Sequence, residues 1–198
     1  MKKLIIATKN KGKMTDFNQL LSKYGIETMS LLDFDQPIAD IEETGTTFSE
    51  NAAIKAETIA NQFNLPVLAD DSGLVVDYLD GRPGVYSARY AGEDKNDQAN
   101  YQKVLQELED IPQEDRTARF VCVLALARPN ESTVFKEGTC EGTIADEPKG
   151  ENGFGYDPIF YPINVDRTLA EMTTEEKNSI SHRKNAMVQL EQWINQQQ

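Results

Sequence analysis

The chain has 198 residues, which is enough for one domain or one two-lobed unit with a sizeable core. Its formal net charge of −13 argues against a broad surface for DNA or RNA, although a small anion could still bind in a local basic pocket. The chain contains no apolar run near the roughly 18 residues of a membrane span, and LIIA is too short for a signal peptide. We therefore expect a cytoplasmic protein that binds neither a nucleic acid polymer nor a membrane.

The one histidine excludes sites built from several histidines, and the two cysteines lack the spacing of metal ligands. A structural disulfide is not expected in a reducing compartment. Cys122 and Cys140 are therefore predicted to be packing residues.

The first segment, KLIIATKNKGK, predicts a buried strand, a polar turn and the start of a helix. Helical spacing then gives an apolar face formed by Met14, Phe17, Leu20, Leu21 and Tyr24. A helix N-terminus behind a turn with several lysines can bind phosphate through its N–H groups. The segment is not a P-loop, because the first glycine is absent and Met14 replaces Ser or Thr. An ordinary solvated basic turn is the alternative.

The next segment, IEETGTTFSENAAIKA, contains a capping box in which Thr47 is the N-cap and Glu50 the third helical residue. Glu42 and Glu43 precede this helix, where acids usually interact with the helix dipole. A function for them requires that one meets Asp70 or Asp71 in space. Two or three such oxygen ligands, with substrate phosphates and water, would hold Mg²⁺.

The segment VLADDSGLVVDYL predicts a strand, a turn and a second strand. Asp, Ser and Gly are ordinary turn residues, so a polar turn explains most of it. A second aspartate adds repulsion without improving a turn, and a metal or acid–base site at Asp70 and Asp71 is the alternative.

Further along the chain, a helix is predicted to begin at Asn96 or Asp97. The run RFVCVLALA is apolar on both faces, as expected of a central strand, and two more strands are predicted in TVFKEGTCEGTI and DPIFYP. A last helix runs to the C-terminus. This alternation predicts an α/β layered fold around one sheet.

Two late segments carry candidate binding residues. In GENGFGYDPIF, Phe154 and Tyr156 lie between glycines, where they could stack on a base or fold back on the core. In TTEEKNSISHRKNA, an unbroken helix would place Arg183 in an apolar stripe, which is costly. Either Ser181 caps a new helix or Arg183 points into a polar pocket. A lone surface histidine is the alternative for His182.

Taken together, ATKNKGK, EETGTTFSENAAIKA, LADDSGL, GRPGVYSARYAG, GENGFGYDPIF and AEMTTEEKNSISHR resemble the inosine triphosphate pyrophosphatase family, in the family's order and over nearly the whole chain. The resemblance implies Mg²⁺-dependent hydrolysis of ITP, dITP and XTP to the monophosphate and pyrophosphate, by a cytoplasmic homodimer. It also implies an elongated mixed twisted β-sheet flanked by helices, with two lobes around a central substrate cleft, in a single domain of residues 1–198.

The same resemblance implies roles for individual residues. The metal ligands would be Glu42 and Asp71, and Asp71 would also accept a proton, with Asp70 as the alternative acceptor. The phosphate-binding residues would be Thr8, Lys9, Asn10, Lys11, Gly12 and Lys13, with Asn51 and Lys55 nearby and Ser72 touching substrate. The contacts to the nucleotide, largely at its base, would be made by Phe154, Gly155, Tyr156, Asp157, Lys177, His182 and Arg183.

These roles suggest a mechanism in which a metal ion, rather than a lysine, neutralises the acids and a bound water attacks the α-phosphorus. Lys13 and Lys55 would offset the charge of the leaving pyrophosphate. Arg183 would donate to the 6-keto oxygen of the base and so disfavour adenine. The rival functions are a pyrophosphatase for modified pyrimidine nucleotides and a nucleotide-sensing module without hydrolysis; a P-loop kinase fails on the motif.

Overall fold

The computed structural model describes residues 2–34, 38–39 and 41–197. The described residues form one mixed six-stranded sheet in the order β2-β1-β3-β4-β5-β6. The strands are β1 (Lys3–Ile6), β2 (Glu27–Ser30), β3 (Val67–Val76), β4 (Thr117–Ala127), β5 (Val134–Ile144) and β6 (Phe160–Pro162). Strand β1 runs parallel to β2 and β3, and β5 runs antiparallel to β6. A mixed sheet with flanking helices confirms the predicted fold class.

The helices begin where local capping signals place them. They are α1 (Lys11–Leu21), α2 (Phe48–Phe63), α3 (Asp97–Glu107), α4 (Thr174–Ile180) and α5 (His182–Gln196). The reciprocal capping box predicted for α2 is present, a second one formed by Thr173 and Glu176 begins α4, and Asn96 caps α3. Short 3₁₀ turns occupy Ser22–Tyr24, Leu31–Asp33, Asp77–Leu79, Gly84–Arg89, Gln113–Asp115, Asp157–Ile159 and Leu169–Glu171.

Strand β3 corrects one prediction. The residues predicted to form a turn, Asp70 to Gly73, lie inside a continuous ten-residue strand. Strand β3 lies between β1 and β4 in the sheet and pairs with β1 at Val67 and Leu68, and its place in the sheet outweighs the local preference of Asp, Ser and Gly for a turn. The acids are therefore held on a regular element of the sheet interior.

The C-terminal helical region is broken, which settles the choice left open by its sequence. Helix α4 ends at Ile180, Ser181 is extended (φ −66°, ψ 149°), and α5 begins at His182. The Ser181 hydroxyl accepts a hydrogen bond from the backbone N–H of Lys184 at 3.2 Å. Ser181 therefore caps a new helix, as one of the two alternatives predicted.

The chain divides into two compact units. The first comprises Met1–Asp71, Val123–Glu137 and Ala186–Gln198, and the second comprises Ser72–Cys122 and Gly138–Asn185. Apolar residues such as Phe17 and Leu68 are buried in the first unit. In the second, Leu74, Val104 and Phe160 belong to one buried cluster.

Two smaller findings complete the fold. Both cysteines are buried thiols, and burial is the main reason that the pKa of Cys140 is raised to about 11. Among the described helices, none is long and apolar enough to cross a membrane.

Candidate active site

The basic turn between β1 and α1 has a defined geometry. The hydroxyl of Thr8 accepts a hydrogen bond from the Asn10 backbone N–H at 3.1 Å. The Asn10 side chain then accepts from the Lys13 backbone N–H at 3.1 Å and so caps α1. Lys9 and Lys11 are exposed, whereas Lys13 is half-buried. The predicted strand, turn and helix N-terminus are confirmed.

Lys13 lies against the first aspartate of β3. Its ammonium group donates to the Asp70 carboxylate at 2.7 Å, and the Asp70 side chain is only 4% exposed. Because a buried carboxylate is costly unless it is paired, this contact stabilises the negative charge of Asp70. The two residues are 57 positions apart in the chain.

The second aspartate is near a different lysine. The ammonium nitrogen of Lys55, on α2, lies 2.9 Å from a Glu43 carboxylate oxygen and 4.0 Å from an Asp71 carboxylate oxygen. The expectation that a metal ion, rather than a lysine, neutralises these acids is corrected in one respect: a lysine lies beside each aspartate, so any metal ion would share that role with the lysines. The structure shows that the carboxylates of Glu43 and Asp71, which come from separate parts of the chain, both lie near the ammonium group of Lys55.

The loop that contains Glu42 and Glu43 is held by a hydrogen bond to the side chain of Asn51. Asn51 is 1% exposed, and its side-chain oxygen accepts a hydrogen bond from the Gly45 backbone N–H at 2.8 Å. A methyl group on Gly45 would collide with that oxygen. Glu42 is exposed and Glu43 is half-buried. The sequence left open which of the two glutamates meets an aspartate, and the structure brings Glu43 to the lysine that Asp71 also approaches.

The described residues contain no group of three or more His, Cys, Asp or Glu side chains arranged to hold a metal ion. This donor set nevertheless fits Mg²⁺, which keeps several waters and is usually held by one or two carboxylates together with substrate phosphates. Glu43 and Asp71, which share the Lys55 ammonium group, provide two such carboxylates in the first unit.

In the second unit, residues 150–157 form a glycine-rich segment that we call the aromatic loop. The Phe154 ring is 66% exposed, and the Lys177 ammonium nitrogen lies 4.7 Å from its centroid. Lys177 also donates to the buried carboxylate of Asp157, which accepts the Phe154 backbone N–H at 2.9 Å. The loop therefore presents one flat ring to solvent with a cation beside it.

Tyr156 behaves differently from Phe154. Its side chain is 4% exposed, and its hydroxyl donates to the Ser87 backbone carbonyl at 2.7 Å. Burial is the main cause that raises the pKa of the Tyr156 hydroxyl. Of the two aromatic residues predicted to be available for stacking, only Phe154 is exposed, and Tyr156 folds back on the core.

His182 and Arg183, which directly follow the helix break, lie in the second unit. His182 is half-buried and its ring stacks on Phe120, with a centroid distance of 5.0 Å and an interplanar angle of 16°. The alternative of a lone surface histidine is therefore wrong. Arg183 and Ser72 are also half-buried.

Comparison with known proteins shows which family this chain is similar to. The model of the Ham1 family matches residues 4–193. The chain is 60% identical to a dITP/XTP pyrophosphatase of Oceanobacillus iheyensis, over 98% of both chains. It is 62% identical to one of Halalkalibacterium halodurans, over 98% of this chain and 100% of the other. The solved structure of the Staphylococcus aureus Ham1 protein matches with a TM-score of 0.93, 45% identity and full coverage of both chains.

Proposed function

The chain belongs to the Ham1 family, and on that premise we propose that it hydrolyses ITP, dITP and XTP to the nucleoside monophosphate and pyrophosphate. The observation that carries the proposal is the convergence of Asp71 and Glu43 on the ammonium group of Lys55. Acids and lysines held together in this way suit a reaction in which phosphate charge must be balanced. The names of the similar proteins, dITP/XTP pyrophosphatases, support the substrate class.

The proposed cofactor is Mg²⁺, held by Glu42 and Asp71, with Glu43 as a further carboxylate beside Lys55. When bound, such an ion lowers the pKa of water and offsets the charge of phosphate oxygens. The exposure of Glu42 leaves its carboxylate accessible to an ion from solution.

Asp71 is the proposed proton acceptor for the attacking water. Asp70 is 4% exposed and lies 2.7 Å from Lys13, whereas Asp71 is 13% exposed and lies 4.0 Å from Lys55. Asp71 is therefore the more accessible of the two carboxylates, whereas the Asp70 carboxylate is already engaged by Lys13. Asp70 instead positions Lys13.

Lys13 and Lys55 are proposed to balance the charge that develops on the leaving pyrophosphate. The other proposed phosphate contacts come from Thr8, Lys9, Asn10, Lys11 and Gly12 in the basic turn. Asn51 stays a predicted phosphate neighbour, and its bond to Gly45 supports an additional role in holding the glutamate loop.

The base is proposed to lie against the aromatic loop. Phe154 supplies an exposed ring for stacking, which is typically worth about 1–3 kcal/mol per base. Arg183 is a hydrogen-bond donor only, so it suits the 6-keto oxygen of hypoxanthine and xanthine and opposes the amino group of adenine. The remaining proposed contacts are those of Ser72, Gly155, Asp157, Lys177 and His182, whereas the buried Tyr156 supports the loop from the core.

Several properties stay predictions from the sequence and the family resemblance. They are the homodimer, the cytoplasmic location, the single domain and the central substrate cleft. The relative rates on the three purine nucleotides and the preference for Mg²⁺ over Mn²⁺ require measurement.

The experiment that tests the proposed function identifies the product. Purified protein is incubated with Mg²⁺ and ITP, XTP, ATP, dUTP or a methylated pyrimidine triphosphate, and pyrophosphate and orthophosphate are measured separately. We expect pyrophosphate, with ITP and XTP far ahead of ATP. Orthophosphate as the product would overturn the proposal, and a preference for the pyrimidine nucleotides would favour the rival pyrophosphatase.

A nucleotide-sensing module is the rival from another class. It would bind ITP without releasing either product. The structure favours hydrolysis, because a pure binder would gain little from carboxylates that repel phosphate.

A further inference from the structure

The aromatic loop is held by an acid from a distant helix. The backbone N–H of Gly155 donates to a carboxylate oxygen of Asp97 at 2.7 Å, and the two residues are 58 positions apart. Gly155 has a positive φ of 63°, a backbone conformation that glycine adopts without the strain of other residues. A bond from an N–H to a charged acceptor is stronger than one between neutral groups.

Asp97 stands on a rigid support. It is the first residue of α3, which Asn96 caps by accepting the Ala99 backbone N–H at 3.0 Å. One turn later, the buried side chain of Asn100 donates to the Ala88 carbonyl at 3.1 Å and accepts from the Ala91 N–H at 2.7 Å. These bonds join α3 to residues 81–92, the segment GRPGVYSARYAG, which is one of the motifs of the family resemblance. The start of α3, which bears the Asp97 carboxylate, is therefore held in place by these hydrogen bonds.

The loop has anchors on both sides of its exposed ring. Before the ring, the Asn152 backbone N–H donates to the Ala170 carbonyl at 3.0 Å and its side chain donates to the Met172 carbonyl at 3.1 Å. After the ring come the Asp97 contact at Gly155 and the Tyr156 hydroxyl on the Ser87 carbonyl. Phe154 lies between these anchors, so releasing Gly155 frees the backbone directly beside the ring.

From this geometry we propose that Asp97 is a positioning residue for base recognition, which holds the Gly155 backbone so that the Phe154 ring can stack on the purine. This inference rests on the proposed function. It assigns Asp97 no contact with substrate and no part in the chemical step. Loss of the bond should therefore weaken nucleotide binding and leave the rate at saturation nearly unchanged.

The test compares Asp97→Ala, which removes the acceptor, with Asp97→Asn, which keeps an acceptor oxygen. Asp94→Ala is the matched control, because Asp94 is an exposed acid three residues earlier. We expect KM for ITP to rise about 5- to 10-fold in Asp97→Ala, as for the loss of one hydrogen bond, with less than a 2-fold change in kcat. Asp97→Asn should recover most of the affinity.

Inorganic tripolyphosphate has no base, so it distinguishes a loss of ring positioning from a general loss of binding. Its inhibition constant against ITP hydrolysis should be the same in the wild type and in Asp97→Ala. An equal loss of tripolyphosphate and ITP affinity, or an unchanged KM for ITP, would overturn the proposal.

A measurement without turnover keeps this test distinct from that of the proposed function. The Gly155 amide proton, as a donor to a charged carboxylate, should shift upfield in the NMR spectrum of Asp97→Ala and little in Asp94→Ala. If the wild type releases no pyrophosphate from ITP, the proposed function fails, whatever the amide shows. If ITP is hydrolysed but the Gly155 amide does not move in Asp97→Ala, the proposed role of Asp97 fails alone.

Discussion

The first unit contains a group of charged residues, which we call the lysine–carboxylate group: Lys13, Glu43, Lys55, Asp70 and Asp71. These residues and the aromatic loop of the second unit are held in place in different ways. In the first unit, Asp70 and Asp71 lie on a sheet strand, and their lysines come from helices. In the second, an exposed ring stands on a loop whose glycines at 150, 153 and 155 all have positive φ. In the first unit the paired aspartates and lysines lie on strands and helices, whereas the exposed Phe154 ring is held by hydrogen bonds to the backbone of its loop.

This contrast predicts how the two regions respond to substitution. Changes in the lysine–carboxylate group should act on the rate, because electrostatic positioning decides phosphoryl transfer. Changes in the aromatic loop should act on KM and on the choice of base. A loop substitution that lowered only kcat would break the comparison.

The largest effect is expected for Asp71→Asn, which removes the proposed proton acceptor and a metal ligand at little change in volume. We predict a fall in kcat of about 10³-fold for ITP at saturating Mg²⁺, within the range usual for loss of a general base. The measurement is pyrophosphate release under steady-state conditions. Asp110→Asn, an exposed acid outside the proposed site, is the control and should retain the wild-type rate. Retention of most of the rate by Asp71→Asn would remove Asp71 from this role.

The next effect concerns the base. We predict that Arg183→Ala lowers kcat/KM for ITP by about 10²-fold and leaves that for ATP nearly unchanged, because only the 6-keto nucleotide loses a donor. The matched control is Lys184→Ala, which removes the neighbouring charge from an exposed position. Unchanged discrimination between ITP and ATP in Arg183→Ala would show that another residue reads the 6-position.

Substitution of two glycines of the aromatic loop is expected to have a smaller effect, which falls on KM for ITP. Gly153 and Gly155 have φ of 78° and 63°, so alanine is strained at both. A methyl group on Gly153 would also overlap the Asp157 carboxylate, whereas one on Gly155 meets open space. We predict that Gly153→Ala raises KM for ITP by more than about 10-fold and Gly155→Ala by about 5-fold, which corresponds to roughly 1 kcal/mol. Equal effects would mean that backbone strain alone governs the loop.

The local features of the fold could be predicted from the sequence because they depend on neighbouring residues. The capping box at Thr47 and the alternative of a break at Ser181 both involve side chains that bond to backbone within a few positions. The buried, central character of β4 followed from its uninterrupted apolar run.

The contacts that define the candidate site could not be predicted in the same way. The turn residues at Asp70 to Gly73 gave the wrong local structure, because pairing with strands from other parts of the chain determines β3. The Lys13–Asp70 and Asp97–Gly155 contacts join residues more than fifty positions apart, and no spacing rule connects them. Family resemblance suggested candidate site residues, but not which of them contact each other, and it did not include Asp97.

The smallest effect should appear in the cap of α2, the helix that carries Lys55. Three bonds to Thr46 and Thr47, led by the one from the Thr46 backbone N–H, lower the pKa of Glu50 below its ordinary value of 4.5. The stabilisation from this carboxylate is therefore complete above the ordinary pKa and is lost as the pH falls through the lowered pKa of the folded protein. We predict that Glu50→Gln unfolds at a slightly lower temperature than the wild type at pH 7, and that the difference shrinks as the pH is lowered below the ordinary pKa of 4.5. Thermal unfolding followed by circular dichroism between pH 3 and 7 measures it, and a difference that persisted unchanged at low pH would assign the effect to packing rather than to charge.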